Sequence, residues 1–348
     1  MVPSISFRWF LALGLSTAYS GARILDPSIS FRWFLALGLG LLGAPLATAQ
    51  VALPNAKPIP QLQVLPHANS ETAIERAGVE LVRYHFGEKL PRPFLYPIVG
   101  PSGKSLTRIG HPHDPQSHSH HNSLWVSHFD VNGVDFWGDH DPGKGKIVTQ
   151  RIVRYEDGDD LALLEFVNAW QDATGKTLLN ETRTVRLYPG VDKQYLLVLD
   201  LELSAAKEPV TIGKTPFGLV GVRMAKTIGV HDGGGTIRNS QGGRDEAEVL
   251  WKQAKWVDYS GPITNQAAEG ITLLDHPQNP NHPTFFHVRN DGWMGTSLTY
   301  EAARTIVPDQ PLKLRYGFWI HAGVPEAKKI EEVFAGFAEI GPPPAKKK

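Results

Sequence analysis

The pattern of hydrophobic and polar residues predicts a chain built almost entirely of β-strands. From residue 147 onwards, segments rich in β-branched, aromatic or alternating residues are separated by clusters of Gly, Asp and Pro. Leu199, Leu201 and Leu203 alternate with Asp200 and Glu202, as expected of a half-buried strand. The strands predicted here are Ile147–Tyr155, Asp160–Asp172, Leu178–Leu187, Gln194–Ser204, Ile212–Met224 and Leu312–His321. Gln253–Tyr259 and Gly270–Leu274 lead into the segment Asp275–Arg289. An antiparallel meander is their simplest arrangement.

Three further segments complete the strand pattern. Ile74–Phe86 alternates well enough for one or two strands. Leu90–Ile98 is extended, and its prolines confine it to a sheet edge or a loop. Asp275–Arg289 contains three prolines that exclude a helix, so we predict a rigid loop there.

One helix is predicted, at Pro325–Ile340. Ile330, Val333, Phe334 and Phe337 fall at helical spacing, and Glu and Lys occupy the opposite face. A helix with one apolar face covers another apolar surface, so its expected role is to cap a sheet. The Gly and Pro content, 34 and 27 residues, also favours a loop-rich all-β fold over a helical bundle.

The N-terminal region carries an exact duplication. PSISFRWFLALGL occurs at Pro3–Leu15 and again at Pro27–Leu39. The second copy continues into an apolar run that ends in Ala-Thr-Ala, which is typical of a secretory signal and its cleavage site. We expect residues 1–49 to be an internally duplicated signal peptide and the mature chain to start at Gln50. The expected location is therefore secreted or periplasmic; an N-terminal membrane anchor is the alternative.

The remaining chain divides into three parts by composition. Residues 50–66 are rich in proline and predict a linker, and residues 342–348 predict a disordered tail. Residues 67–341 are expected to form a single β-sandwich domain.

Composition and charge exclude several classes of function. The chain has 348 residues and a formal net charge of zero, which argues against nucleic acid or anionic membranes as partners. With no cysteine, it has neither disulfides nor thiolate metal sites. Beyond the leader no segment is apolar enough to span a membrane. The sequence does not indicate an oligomeric state.

Candidate chemistry is concentrated in the segment His111–Asp141. It holds seven of the 14 histidines and five aspartates, a combination suited to proton transfer or metal binding. An extended backbone would place His118 and His120 on one side and His121 on the other. A solvated, flexible loop is the alternative, but the apolar residues that follow should anchor the segment in a core.

The segment Asp275–Arg289 adds three more histidines. We expect its imidazoles to meet those of the first segment in one pocket, since general acid–base work needs such groups within reach of the proton that moves. This convergence is the step on which the functional hypothesis depends.

Several motifs resemble a bacterial family of unknown function that carries the label methane oxygenase PmoA-like. They are RPFLYPIVGPSGKSLTR, SHSHHNSLWVSHFDVNGVDFWG, WVDYSGP, DHPQNPNHPTFFHVR and LRYGFWIHAG, in this order. The strand pattern is also similar to galactose mutarotase-like proteins. That resemblance implies an all-β antiparallel β-supersandwich with a C-terminal helix, in which histidines and an acid act on a sugar ring. The residues that match the family motifs are His118, His120, His121, His128, Asp135, Asp275, His276, His282, His287, Arg289 and His321.

The leading hypothesis is a secreted carbohydrate-active enzyme, acting as hydrolase, lyase or epimerase on a sugar or an oxidised sugar. The predicted catalytic residues are His120, His121, His287, Asp135 and Asp275. The predicted substrate-binding residues are Trp125, Trp137, Trp256, Arg289 and His282. One divalent metal ion, bound by His118, His120 and His121, is the only cofactor considered. The alternatives are a non-catalytic carbohydrate-binding module and a copper- or iron-dependent oxygenase.

Overall fold

A computed structural model describes residues 58–110, 118–139 and 143–345. The duplicated leader, the proposed cleavage site, His111, His113 and His140 lie outside these described residues. The first strands are β1 Leu62–His67, β2 Glu71–Arg76, β3 Val79–His85, β4 Phe94–Ile98, β5 Leu124–Ser127, β6 Lys146–Glu156, β7 Ala162–Gln171, β8 Thr177–Pro189, β9 Tyr195–Ala205 and β10 Val210–Ile212. They are followed by β11 Leu219–Arg223, β12 Thr236–Asn239, β13 Lys252–Gln253, β14 Trp256–Pro262, β15 Ala268–Asp275, β16 Phe285–Arg289, β17 Trp293–Thr296, β18 Arg304–Ile306 and β19 Leu312–Ala322. The helices are α1 Val230–Gly233, α2 Asp245–Val249, α3 Ala327–Ala338 and a 3₁₀ turn at Lys226–Ile228.

Two large sheets make up the fold. The first has nine strands in the order β1-β2-β3-β4-β5-β11-β17-β16-β13, and the second has eight in the order β12-β14-β15-β19-β9-β8-β7-β6. The named strands pair antiparallel throughout, and β10 and β18 form a separate small ribbon. The prediction of an all-β antiparallel sandwich with one C-terminal helix is confirmed. None of the helices in the described residues has the length and apolar character needed to cross a bilayer.

The main core lies between the two sheets. In β5, Leu124 and Val126 join this core, whereas Trp125 belongs to a different cluster on the outer face of the nine-stranded sheet. In β19 of the other sheet, Phe318 and Ile320 face the same core. Because side chains alternate along a strand, every strand that fills this core also presents residues on the outside of the sandwich.

Helix α3 covers the outer face of the eight-stranded sheet. Its buried residues pack on side chains of β9, β14, β15 and β19; together they are Val198, Trp256, Leu274, Trp319, Ile330, Val333, Phe334 and Phe337. The predicted capping role of this helix is confirmed. The outer face of the nine-stranded sheet carries a second aromatic cluster, of Phe94, Trp125, Trp137 and Trp293, which no helix of the described residues covers.

Local predictions were wrong in three places. Leu62–Pro66, assigned to the linker, belongs to β1, where Leu62 and Val64 are buried and the strand pairs with β2. β4 lies inside a sheet rather than at its edge, and Pro97 is tolerated because only Phe94 and Leu95 pair with β5. The segment predicted as a rigid loop ends in strand β16, whose Phe286 and Val288 enter the core.

The C-terminal segment is described as far as Ala345. Pro344 accepts a hydrogen bond through its carbonyl from Nη2 of Arg154, at 2.8 Å, so this part of the predicted tail lies against β6.

Candidate functional site

The floor of the site is formed by two tryptophans that lie across two glycines. Gly221 of β11 pairs with both Trp125 of β5 and Gly295 of β17. A Cβ atom on Gly221 would lie 2.6 Å from the ring of Trp293 and 2.8 Å from that of Trp125. The glycines therefore leave room for the two indoles, whose centroids are 5.2 Å apart, to pack together on the sheet.

The histidine segment forms a turn above this floor. The backbone nitrogen of His121 donates to the carbonyl of His118 at 3.0 Å. This turn brings three rings together: His118 stacks on His121 at 4.4 Å, and His120 meets His121 edge-on at 4.5 Å. The prediction that His121 points away from the other two is wrong, because it assumed an extended backbone.

Arg92 holds this turn in place. Its guanidinium is fully buried and donates to the carbonyl of His120, to the side chain of Asn122 and to the carbonyls of Trp137 and Gly138. Burial lowers the pKa of Arg92 to about 10, so the group stays charged at neutral pH. One cation thus ties the histidine turn to the segment that carries Trp137.

His121 is the most enclosed of the three histidines. Only 5% of it is exposed, and its ring stacks on Trp125 at 5.1 Å and on Trp293 at 5.0 Å. Burial, followed by the neighbouring His120, holds the pKa of His121 well below its ordinary value. An imidazole in these surroundings stays neutral at physiological pH.

His287 reaches the same place from the other predicted segment. Along β16, Phe286 and Val288 face the core, so His287 points to the outer face. Its ring lies 5.9 Å from Trp293 and 5.9 Å from Phe217. His121 and His287, which are 166 positions apart in the sequence, therefore contribute to one site.

Together these side chains line a pocket of about 630 Å³. Of the predicted site residues it includes His118, His120, His121, Asp135, Trp137, His287 and Arg289. The residues that sequence reasoning missed are Phe129, Asp139, Lys144, Phe217, Asp291 and Trp293.

Burial is the main reason that the imidazoles of His120, His121 and His287 stay neutral. Burial, reinforced by the charge of Arg92, lowers the pKa of His120 to about 4. Burial, reinforced by Arg289, lowers the pKa of His287 to about 4 as well. The Nδ1 atoms of His121 and His287 are buried and have no hydrogen-bond partner among the described residues. Neutral nitrogens of this kind can accept a proton or bind a metal.

Two of the pocket carboxylates are engaged in holding the site together. Oδ1 of Asp135 accepts hydrogen bonds from the backbone nitrogens of Trp137 and Gly138, and its Oδ2 pairs with Lys144 at 3.2 Å. Asp291 pairs with the buried Arg223 at 2.9 Å. Asp135 therefore acts in this arrangement as a support for Trp137, which differs from its predicted catalytic role.

The pocket lining does not include four of the predicted site residues: Asp275, His282, Trp256 and Trp125. Asp275 is fully buried and accepts hydrogen bonds from Asn279, His282 and the backbone of Thr284. Trp256 lies under helix α3 and donates to Glu331, so it is a core residue. Trp125 is fully buried under His121 and is not available to a ligand.

Two of these corrections, for Asp275 and His282, have one physical reason. Asp275 ends β15 of the eight-stranded sheet, and the ring of His282 lies 6.2 Å from that of Phe334 in α3. The segment 275–289 crosses from one sheet to the other, so only its second end, with His287 and Arg289, reaches the pocket.

A family model described as a family of unknown function, DUF6807, matches residues 71–335, which is most of the chain. The chain belongs to the DUF6807 family. The match covers strands β2 to β19 and both histidine segments, and its description does not include the methane oxygenase label. No curated protein matches the DUF6807 chain.

Several solved structures resemble the DUF6807 chain at low identity. Heparan sulfate lyase HepC from Pedobacter heparinus is 9% identical with a TM-score of 0.35; the match covers 74% of this chain and 34% of the lyase. Galactose 1-epimerase from Lactobacillus acidophilus NCFM is 10% identical with a TM-score of 0.33, covering 75% of this chain and 98% of that one. A putative mutarotase, YeaD, from Salmonella typhimurium is 9% identical with a TM-score of 0.33; the match covers 76% of this chain and 97% of the mutarotase. The chain thus spans about a third of the lyase, and scores this low do not identify an activity.

Proposed function

We propose that the pocket is the active site of an enzyme that moves a proton on a sugar. One observation carries this proposal: neutral imidazoles from two distant segments, His120 and His287, line the same pocket beside tryptophan walls. A group that accepts a proton in one step and returns it in the next must be neutral before the reaction. A positioned acid or base contributes on the order of 10²–10⁴ in rate.

The chemical character of the walls favours a sugar as substrate. Phe217, with the small exposed parts of Trp137 and Trp293, supplies apolar surface, and Lys144 and Arg289 offer hydrogen-bond donors beside it. A sugar ring has apolar C–H faces and hydroxyl groups around its edge, so it matches a pocket that alternates between these two kinds of group.

The state of the carboxylates favours elimination or epimerisation over hydrolysis. Glycoside hydrolysis by a carboxylate pair needs two available acids. Of the three pocket carboxylates, Asp135 and Asp291 are held by cations, Lys144 and Arg223, and Asp139 accepts a hydrogen bond from Ser119. An imidazole base suits a different reaction, removal of a proton from carbon next to a carbonyl or carboxylate. The electron pair left on that carbon is then reprotonated, or it expels a leaving group from the neighbouring carbon.

An oxidised or acidic sugar fits this chemistry best. Its carbonyl or carboxylate makes the neighbouring C–H acidic. Arg289 and Lys144, which pair with Glu246 and Asp135 in the free protein, are the pocket side chains that can donate hydrogen bonds to it. We therefore propose a lyase or epimerase of oxidised sugars.

Exchange of carbon-bound hydrogen with solvent tests the proposal directly. The purified protein is incubated in D₂O with galacturonate, glucuronate and 3-keto-glucose, and the substrates are followed by NMR. We expect deuterium at one ring carbon, lost in His120→Gln and His287→Gln while sugar binding persists. His231→Gln, at an exposed site outside the pocket, is the matched control and keeps the wild-type rate. Binding by the wild-type protein without exchange or turnover would instead indicate a carbohydrate-binding module.

A metal-dependent version of the site is the second candidate. Ligand atoms of His118, His120 and His121 lie within 4.8 Å of one another, which favours one ion. However, the rings of His118 and His121 are stacked with their planes 6° apart. A bound ion lies in the plane of each imidazole that ligates it, and two stacked parallel planes do not share such a point. One of these rings must turn before both can bind the same metal.

Metal analysis separates the two versions. If the imidazoles act as acids and bases, dialysis against a chelator leaves the exchange rate unchanged and the purified protein contains no stoichiometric metal. Near-stoichiometric copper or iron would support an oxygenase, and zinc that restores lost exchange would support a metal-assisted lyase or epimerase.

A further inference from the structure

Trp251 has an unusual backbone conformation next to the pocket. Its φ angle is +57°, a left-handed conformation that bulky side chains rarely adopt. The residue immediately precedes β13, and its backbone nitrogen donates to the carbonyl of Phe286 in β16 at 2.8 Å. The edge of the nine-stranded sheet therefore fixes both the strain and the direction of the indole.

The indole ring of Trp251 contributes little packing that would offset this strain. Forty per cent of Trp251 is exposed, so much of its apolar surface remains in water. Asparagine or glycine would adopt the same backbone angle more readily. Strained residues that contribute little packing are typical of ligand-binding positions.

Trp251 continues the aromatic surface of the pocket. The ring of His287 lies 5.9 Å from Phe217 inside the pocket and 6.0 Å from Trp251 outside it. Beyond Trp251, Tyr300 follows at 6.2 Å. A ligand that extends from the pocket past His287 therefore meets Trp251 next.

The surroundings of Trp251 indicate what kind of ligand this is. Lys252 and Gln253, the two residues of β13, are exposed beside it. A lipid or an apolar peptide requires a continuous apolar surface, whereas a single indole with polar neighbours suits a ring that has apolar faces and polar edges.

We propose that Trp251 stacks a second sugar ring, so that the substrate is an oligosaccharide whose adjoining ring occupies the pocket. This inference rests on the proposed function, because it takes the pocket ligand to be a sugar. It assigns Trp251 and Tyr300 to binding the substrate chain rather than to the chemical step.

Binding of tetrasaccharides and their monosaccharides separates this inference from the proposed function. The probes are cellotetraose, xylotetraose and tetragalacturonate, each compared with its monosaccharide by calorimetry on the full chain. For a tetrasaccharide that the wild type binds, Trp251→Asn should raise Kd about tenfold or more while Trp251→Phe stays close to wild type. The Kd for the monosaccharide should not change. The Tm of Trp251→Asn should be unchanged or higher, since asparagine accepts positive φ.

Each other result has a defined meaning. Equal affinity of the wild type for tetrasaccharide and monosaccharide, or an unchanged Kd in Trp251→Asn, overturns the inference and leaves the proposed function standing. A fall in Tm of more than about 5 °C shows that the ring is structural and also overturns it. A shift from dimer to monomer in Trp251→Asn would assign the ring to self-association instead. If the wild type binds no sugar of the panel, the proposed function fails and the inference falls with it.

Discussion

The two outer faces of the sandwich carry similar residues but use them differently. Both have tryptophans and histidines on a β-sheet. On the eight-stranded sheet, helix α3 buries Trp256 and Trp319, and the nearby histidines are bound to carboxylates: His321 to Asp258 at 2.9 Å and His282 to Asp275 at 2.7 Å. On the nine-stranded sheet, the tryptophans are equally buried, but the turn of histidines that covers them lines a pocket.

The difference shows how a structural histidine is told apart from a functional one. A buried imidazole that shares its proton with a buried carboxylate satisfies both groups and holds two strands together. An imidazole packed on aromatic rings, with a nitrogen that has no partner among the described residues, is kept neutral and available, as for His121 and His287. The following predictions test this contrast in order of expected size.

The largest effect is expected from removing one pocket imidazole. His287→Gln should reduce turnover by about 10²–10⁴-fold, because it removes the proton acceptor, and should change the free energy of unfolding by less than about 1 kcal/mol. Steady-state kinetics and urea unfolding measure the two quantities on the same preparation. A variant that loses stability but keeps its turnover would show that His287 is structural.

On the helix-covered face we expect a loss of stability without a loss of turnover. Asp275→Asn breaks the buried contact with His282 and should lower the free energy of unfolding by about 3–5 kcal/mol. Turnover per folded molecule should not change, since Asp275 lies outside the pocket. Asp309→Asn, an exposed aspartate, is the matched control. Loss of turnover with intact stability would contradict the assignment of Asp275 to the scaffold.

The buried histidine His128, which does not line the pocket, should make stability depend on acid. His128 is fully buried, and burial lowers its pKa to about 4. The unfolded chain takes up this proton first, so stability falls as pH decreases from about 6.5 to about 4, by about 3 kcal/mol for this residue. Unfolding midpoints should show a shallower pH slope in His128→Gln, and His231→Gln should keep the wild-type slope. Identical slopes in all three proteins would contradict a neutral buried His128.

The contribution of Asp258 to stability should change in a lower pH range than that of His128. Burial alone would raise its pKa, but the charge of His321 and hydrogen bonds from His321, Ser260 and Arg238 lower it to about 2. Its contribution to stability is therefore complete above about pH 4 and is lost only as pH falls toward 2. The Asp258–His321 pair thus keeps its contribution to stability through the pH range in which protonation of His128 lowers the stability of the protein.

The smallest effect is expected at the pocket floor. Gly221→Ala places a methyl group within contact distance of Trp125 and Trp293 and should lower the free energy of unfolding by about 1–3 kcal/mol. The displaced indoles should also move His121 and reduce turnover. Gly341→Ala, where nothing lies within 4 Å of the added atom, is the control. An unchanged variant would show that the glycine does not position the tryptophans.

The strand pattern predicted the fold because its signals are local. Alternation in β9 and helical spacing in α3 depend on a few neighbouring residues, and both elements form where they were expected. The histidine segments also indicated where the pocket lies. The apolar residues after the first segment were expected to anchor it, and Leu124 and Val126 are buried in the core.

The details of the site depend on which strands are neighbours, and the sequence alone does not determine that. Arg92 supports the histidine turn through contacts with residues up to 46 positions away, and Trp293 reaches His121 because β17 pairs with β11. Asp275 and His287 looked like one motif, yet they end up on different sheets. A glycine inside a strand, such as Gly221 or Gly295, was the one sequence signal that pointed to the close packing at the floor.

The central claim is that neutral imidazoles on the open face bind the sugar. Long-range ¹H–¹⁵N spectra of the histidine rings at pH 6, with and without the tightest-binding sugar of the panel, test it most directly. The account predicts that His120 and His287 are neutral at this pH and shift on sugar addition, while His282 and His321 stay unchanged. Shifts confined to His282 and His321, or charged rings at His120 and His287, would contradict it.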